Sequence, residues 1–416
     1  IEDLGLLTEQ ARGRLQAQGQ LSGRPTDPIV DALLTAEAGT ETAGTGQVSG
    51  TLMLRPVTQE AALTLDGDWA GQPVAVQMDL SRIDTGALNL RLGDSHWAGI
   101  RVGGSLLLQP GETLPVGELR LAIDRVEVLD ALLAPWLGDD PALAGRLEAR
   151  FSRRDGGALN LDLEGAALQL PDGIGIRSLN VQAEIDEPLG ASRLRSEAIV
   201  AGLSTAAFAA DIRLHASGPI ETPTLSSKTD LQWRRPGGKT PVQLAAGGTL
   251  DARTRRLQLD ALRLDLPGQG IRLLGPARLE LGHGLEIDGL RLALQAADPD
   301  GNPVESGRLE LNGRLAPLFE LEARITALPV AVAMGWLPAP LPRLTGRIDL
   351  ETRLTGEPRG PFGTLSMDVR GLRYPGGLAR SLPAGELRLA LRLEPPMTTI
   401  DAQASVGTTS RLALDG

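Results

Sequence analysis

Between Leu344 and Pro361 the chain reads LTGRIDLETRLTGEPRGP. Taken two residues at a time, Leu344, Gly346, Ile348, Leu350, Thr352, Leu354 and Gly356 fall on one side. Thr345, Arg347, Asp349, Glu351, Arg353 and Thr355 fall on the other. Successive side chains of an extended strand point to opposite faces, so the segment reads as a strand with one apolar and one polar face. The same alternation fills most of the chain and confines it to an all-β class.

SGRLELNGRL groups Gly307, Leu309, Leu311, Gly313 and Leu315 against Arg308, Glu310, Asn312 and Arg314. ARLELGHGLEI groups Leu279, Leu281, His283, Leu285 and Ile287. GELRLALRLEP groups Leu387, Leu389, Leu391 and Leu393, and GTLSMDVRGL groups Leu365, Met367 and Val369. Earlier, GALNLRLGD groups Leu88, Leu90 and Leu92, and GELRLAIDRVEV groups Leu119, Leu121 and Ile123. The links between them carry turn chemistry: LDGDW, PDGIG, PGQG, GHG and PGGLA. Short turns between half-apolar strands predict antiparallel neighbours, on the order of 35 strands of about 8 residues each. Ala36 to Gln47 and Ala296 to Gly307 read as longer loops.

One strand unit recurs. GRLQAQGQLSGRPTDP, from Gly13 to Pro28, places Leu15 and Leu21 on one face. It follows the same template as Gly346 to Pro361: Gly, Arg, Leu or Ile, five residues, Leu, Ser or Thr, Gly, any residue, Pro, two residues, Pro. Helical pattern is confined to Val128–Gly138 (VLDALLAPWLG) and Val330–Pro338 (VAVAMGWLP). Each is followed by a Pro-rich link and then a Gly-Arg pair opening a strand, Gly145-Arg146 and Gly346-Arg347. These echoes suggest one continuous repetitive segment over 1–416 with approximate units 1–127, 128–327 and 328–416. The short helices either cover the sheet or serve as packed connectors at the unit joints.

Composition removes several function classes. Apolar residues at 42% and charged residues at 22% suit a folded rather than a disordered chain. Zero cysteines exclude disulfides and thiolate metal sites. The net charge of −11 is dispersed, Arg alternating with Asp and Glu, and the densest basic spot, WRRPGGK at Trp233 to Lys239, reads as a turn. That pattern argues against nucleic acid. No apolar run reaches the length of about 18 residues that a membrane-spanning helix needs. His96, His215 and His283 stand far apart, without a second ligand at metal spacing. DPDGN at Asp298 to Asn302 lacks the acidic positions of a calcium loop and reads as a turn. GIGIRS at Gly173 to Ser178 has no following helix, and no nucleophilic serine sits in a strand-to-helix elbow. Neither an enzyme nor a cofactor is expected.

What remains is the apolar face, which has to be covered. A row of β-sandwiches or a solenoid would fill it with its own side chains. A transmembrane barrel would turn it to lipid, but such barrels carry aromatic girdles, and aromatics here are 2% with a single Tyr. A long curled sheet would line a groove with it. The face is mostly Leu, Ala and Gly, a smooth surface better suited to a fluid occupant than to a close-packed core. Regular glycine also permits strong curvature.

The repeated template, followed by the alternating GTLSMDVRGLRYPGG, resembles the TamB family of AsmA-like proteins, relatives of the bridge-like lipid-transfer proteins. SGPIETPTL at Ser217 to Leu225 is a looser match. The resemblance is sharp at residues 13–28 and 344–361 and diffuse elsewhere. It implies an open β-groove in the periplasm of a Gram-negative bacterium, the full-length protein being anchored in the inner membrane. It implies carriage of phospholipids to the outer membrane and support of outer-membrane protein assembly. The partners it implies are phospholipid acyl chains along the face and an outer-membrane barrel of the TamA type beyond this segment. A chain opening at Ile1 and stopping inside the pattern at SRLALDG is expected to be an internal piece. The residues also leave open a scaffold that catches unfolded strands by edge pairing.

Overall fold

A strand with one apolar face still has to pair both rows of its backbone N–H and C=O groups, and here the next strand along the chain does so. The structure is a computed structural model describing residues 12–40, 44–69, 71–130, 143–154, 157–235, 238–281, 284–297, 303–315, 319–334, 344–357, 360–374, 383–394, 397–406 and 410–415. Among the described residues there are 26 strands, and the chain divides into two units, Ile1–Thr205 and Ala206–Gly416.

The first unit holds β1 (Arg12–Arg24), β2 (Asp27–Thr40), β3 (Gly44–Arg55), β4 (Glu60–Trp69), β5 (Gln72–Arg82), β6 (Leu88–Trp97), β7 (Ile100–Leu108), β8 (Val116–Ile123), β9 (Ala144–Arg153), β10 (Leu159–Leu170), β11 (Ile174–Asp186) and β12 (Arg193–Ser204). Each pairs antiparallel with the next. The second holds β13 (Phe208–Pro219), β14 (Thr224–Arg235), β15 (Gly238–Asp251), β16 (Arg256–Leu266), β17 (Gln269–Leu273), β18 (Ala277–Glu280), β19 (Glu286–Ala297), β20 (Pro303–Arg314), β21 (Phe319–Pro329), β22 (Thr345–Glu357), β23 (Gly360–Arg373), β24 (Gly385–Glu394), β25 (Met397–Val406) and β26 (Ser410–Asp415). The same meander applies, except that β17 and β18 together form one interrupted strand between β16 and β19.

Fewer and longer strands than expected result because segments read as loops are paired. Ala36 lies opposite Val48 and Glu37 opposite Gln47, so most of Ala36 to Gln47 belongs to the β2–β3 hairpin. Ala296 faces Val304 across β19 and β20. Leu65 to Trp69 (LDGDW) also runs on as strand, with Gly67 opposite Val48. ARLELGHGLEI is not one strand: Leu279 and Ile287 face each other across β18 and β19. His283, the DPDGN turn and the PGGLA turn lie outside the described residues.

Period two slips at bulges. In β21 the register shifts between Ile325 and Leu328, with Ala327 at a φ of 56°. In β19 it shifts between Ile287 and Leu290, with Gly289 at 72°, and in β23 between Val369 and Leu372, with Gly371 at 66°. β10 does the same around Ala167, at 52°. One extra residue returns the next leucine to the apolar face, so Ile287 and Leu290 share a face despite their odd spacing. At the Ala327 bulge the freed backbone N–H donates to Asp349 Oδ1 at 2.8 Å.

Two small cores form where connectors lie on the apolar face. The 3-10 turn Val126–Leu129 packs Val126 with Ile123, Leu143 and the bulge-following Leu168. The helix α1 (Val330–Met334) packs Val332 with Leu294 and the bulge-following Leu328. These are the described portions of the two segments expected to be helical; the residues around Trp136 and Trp336 lie outside the description. Both connectors therefore cover part of the face and pack as ordinary elements.

Candidate functional site

Strand pairing turns the leucines of single strands into rows that cross the strands. In the second unit Leu292, Leu309, Ile325, Leu350, Met367 and Leu389 stand opposite one another from β19 to β24. Beside them run Leu290, Leu311, Ala323, Thr352, Leu365 and Leu391. A third row is Leu279, Ile287, Gly313, Leu321, Leu354, Gly363 and Leu393. A fourth joins Leu328, Ile348, Val369 and Leu387. No charge interrupts these rows. Thr352, buried among them, donates its hydroxyl to the Thr364 carbonyl at 3.1 Å.

The first unit repeats the arrangement over all twelve of its strands. Leu15, Ala36, Val48, Gly67, Val74 and Trp97 continue through Ile100, Ile123, Leu147, Gly165, Leu179 and Val200. A second row takes in Leu63, Met78, Leu92, Gly104, Leu119, Phe151 and Leu161. A third runs Leu21, Val30, Leu54, Ala61, Leu80, Leu90, Leu106, Gly117, Arg153, Leu159, Ile185 and Leu194. Arg153 is the one charged residue in the three.

The expected lining residues thus come together on one face of each unit, and they differ in cover. Ile123, Ile287 and Val369 are buried. Leu21 is 75% exposed, and Leu281, at the turn after β18, is exposed as well. Most others, among them Leu88, Leu121, Leu285, Leu315 and Leu344, are half-buried. The two clusters of fully buried residues lie at the connectors, and other buried side chains, such as Leu259 and Leu292, are scattered over the strands. A sandwich would bury its inner faces almost throughout.

Glycines on these rows bring the strands close. Gly313 and Gly363 have φ of 133° and 144°. A Cβ there would lie 1.9 Å from the Glu320 carbonyl oxygen and 2.0 Å from that of Arg353. Only glycine adopts this backbone readily, and the missing side chain lets the neighbouring strand approach closely.

The opposite face is a lattice of cross-strand ion pairs. Arg324 meets Glu351 at 3.2 Å, Arg353 meets Glu322 at 3.3 Å, and Arg388 meets Asp368 at 3.4 Å. Arg14, Arg195, Arg263 and Arg308 are held further toward their charged forms, first by hydrogen bonds to Glu37, Asp186, Asp265 and Glu305 and then by the charges of those carboxylates. These pairs are exposed and contribute little stability, but they keep the outer face solvated. Among the described residues no group of histidines and carboxylates could hold a metal. His96 and His215 are exposed strand residues.

Arg153 was not picked out from the sequence, although the signal is there: Leu147, Ala149, Phe151 and Arg153 share parity. It is only 9% exposed. Its Nη1 donates to the Leu114 carbonyl at 2.6 Å and its Nη2 lies 3.5 Å from Glu112. Its Nε is buried without an acceptor among the described residues.

No family model matches the chain, and no curated protein does. Among solved structures it is similar to OpdQ of Pseudomonas aeruginosa, at 11% identity over 98% of this chain and 97% of that one, with a TM-score of 0.14. A likeness that slight carries no argument about fold or activity.

Proposed function

We propose that this chain is a stretch of periplasmic lipid conduit of the TamB type, carrying phospholipids with their acyl chains along the apolar face. The observation that supports this reading is the set of Leu-rich rows, uncharged but for Arg153, crossing many strands while staying half open to solvent. An exposed apolar surface of this extent marks a binding face. Each acyl CH₂ moved from water onto it contributes about 0.8 kcal/mol. Rows of similar residues offer similar sites at every step, so a chain slides without meeting a deep minimum. The ion-paired outer face keeps such a protein dispersed in an aqueous compartment. On this reading the resemblance supplies the outer-membrane barrel partner and the role in outer-membrane protein assembly.

The test is native mass spectrometry of the chain purified from bacterial cells in mild detergent, with the bound lipid extracted and counted. Wild type is expected to retain several phospholipids. Leu311→Asp and Leu350→Asp, on the apolar face, should lower that number. Arg308→Asp and Arg347→Asp, on the outer face, should leave it unchanged. A lipid-free wild-type protein, or equal losses from both pairs, would overturn the reading.

A further inference from the structure

The interrupted strand formed by β17 and β18 leaves a gap in the pairing of the second unit. Leu259 stands opposite Ala277 and Arg263 opposite Arg272, so Asp260, Ala261 and Leu262 of β16 have no register partner there. On the other side Leu273 stands opposite Leu292 and Arg278 opposite Asp288, which leaves Gly289, Leu290 and Arg291 of β19 without one. Between them Leu274 and Gly275 bend, and the Leu274 N–H donates to the Arg291 carbonyl at 2.8 Å. Pro276, next along, has no N–H to offer a ladder.

The neighbouring ladders are irregular at the same level. β16 carries an extra residue, Asp260, against Gly247 and Gly248 of β15. β19 carries one against β20 at Asp288 and Gly289; Gly289 has a φ of 72°, and its N–H donates to Asn312 Oδ1 at 2.7 Å. Four successive ladders are thus interrupted along one line across the strands, while the β14–β15 and β20–β21 ladders beyond it run without a shift. The line is loosely packed. A Cβ on Gly289 would meet nothing within 4 Å, and one on Gly275 would meet only the tip of Arg291, at 3.5 Å. Hinges settle where few bonds resist opening and a few residues can absorb changes of φ and ψ. The two sides of the line are also held differently. Toward one rim, Ile271 and Leu294 pack with Leu328 and Val332 in the core beneath α1. Toward the other, exposed ion pairs link the strands, Arg256 with Glu280 at 3.3 Å and Arg314 with Glu286 at 3.1 Å.

We propose that this line is a hinge built into the sheet. The flap made of residues 256–259, 277–280 and 286–288 swings about it against the part fixed by α1, and the apolar face widens and narrows at this place. The glycines at Gly247, Gly248, Gly275 and Gly289 supply the backbone freedom that the swing needs. The hinge itself stands on the ladder geometry. Its use, to admit and release acyl chains between Leu259, Ile287 and the rows beyond the line, rests on the lipid-carrying reading.

The test uses the whole chain, which has no cysteine, so spin labels go only where they are placed. Arg272→Cys with Arg278→Cys puts labels at two exposed positions on either side of the bend. Ser226→Cys with Gln232→Cys is the control, also exposed and at the same spacing in β14, whose ladders to β13 and β15 are unbroken. Each pair is roughly 20 Å apart along its strand. Double electron–electron resonance should give a clearly broader distance distribution across the line than in β14. Vesicles of phosphatidylethanolamine and phosphatidylglycerol should narrow the broad distribution and leave the control unchanged. A broad distribution that lipid does not alter keeps the hinge and removes its use in lipid carriage. Equally narrow distributions in the two pairs overturn the hinge, whatever lipid the chain retains.

Discussion

Leu328→Ala tests whether the bulge in β21, rather than unbroken alternation, decides which side chains face inward. The bulge supplies one residue beyond what β22 can match, so Leu328 pairs with Ile348 and joins the apolar face. Unbroken alternation from Ile325 would instead put Leu328 on the polar side, where truncation to alanine costs no more than about 0.5 kcal/mol. Leu328 is 3% exposed and packs with Leu294 and Val332 in the core beneath α1. Truncating a buried leucine there costs about 2–5 kcal/mol. Ala327→Gly is the opposing control. It keeps the bulge and relieves an alanine held at a φ of 56°, so it should be neutral or stabilising by up to about 1 kcal/mol. Urea unfolding, with hydrogen exchange read at Leu294 and Ile348, should show a lowered midpoint and early opening of this region in Leu328→Ala and neither in Ala327→Gly. An unchanged midpoint and unchanged protection in Leu328→Ala would refute the register argument. It would mean that Leu328 faces solvent, as unbroken alternation has it.

Two further outcomes follow from local geometry. Gly313→Ala should destabilise β20 by about 1–3 kcal/mol, because the new Cβ meets the Glu320 carbonyl oxygen in a backbone conformation alanine avoids; an unchanged urea midpoint would contradict the close approach of β20 and β21. Asp251 accepts hydrogen bonds from the Thr254 backbone and side chain and from the Arg253 N–H, which hold its carboxyl below the ordinary range. A folded value below the unfolded one means that the β15–β16 turn is supported above the usual carboxylate range and loses that support as pH falls through the lowered value. Carbon NMR of the Asp251 carboxyl should find it titrating below the free aspartate position, and an ordinary titration would sink the assignment.

Much of the face was legible because side-chain direction in a strand is a matter of parity. Leu309, Leu311, Leu350 and Leu365 could be placed from spacing alone, and the pairing puts them in adjacent rows. Parity carries no information about where it is broken. Ala327 and Gly289 look like any small residue in a strand, yet each resets the phase for the rest of its strand, so Leu328 and Leu290 would have been assigned outward. Turn chemistry misled in the other direction. Small polar residues from Ala36 to Gln47 read as a loop, but cross-strand pairing overrides weak β-propensity. Arg153 follows Ser152 and precedes Arg154, and a run of polar residues at a strand end hides which member points inward.

The distribution of burial connects these points. A β-protein that filled its own interior would bury its leucines almost throughout, whereas here most leucines of the rows stay half-buried and the two clusters of fully buried residues stand apart. Here each core lies beside a connector and includes a leucine returned to the face by a bulge, Leu168 in one unit and Leu328 in the other. The bulge and the connector serve the same end: the bulge bends the strand and re-aims its side chain, and the connector covers the spot so created. Between such anchored points the rows of Leu, Ala and Gly keep their solvent exposure. Gly313 and Gly363 let neighbouring strands approach closely without adding side chains to the apolar face. Backbone pairing and two local cores hold the strands together while most of the apolar face stays half open, and a half-open face can hold a changing occupant without the fold depending on it.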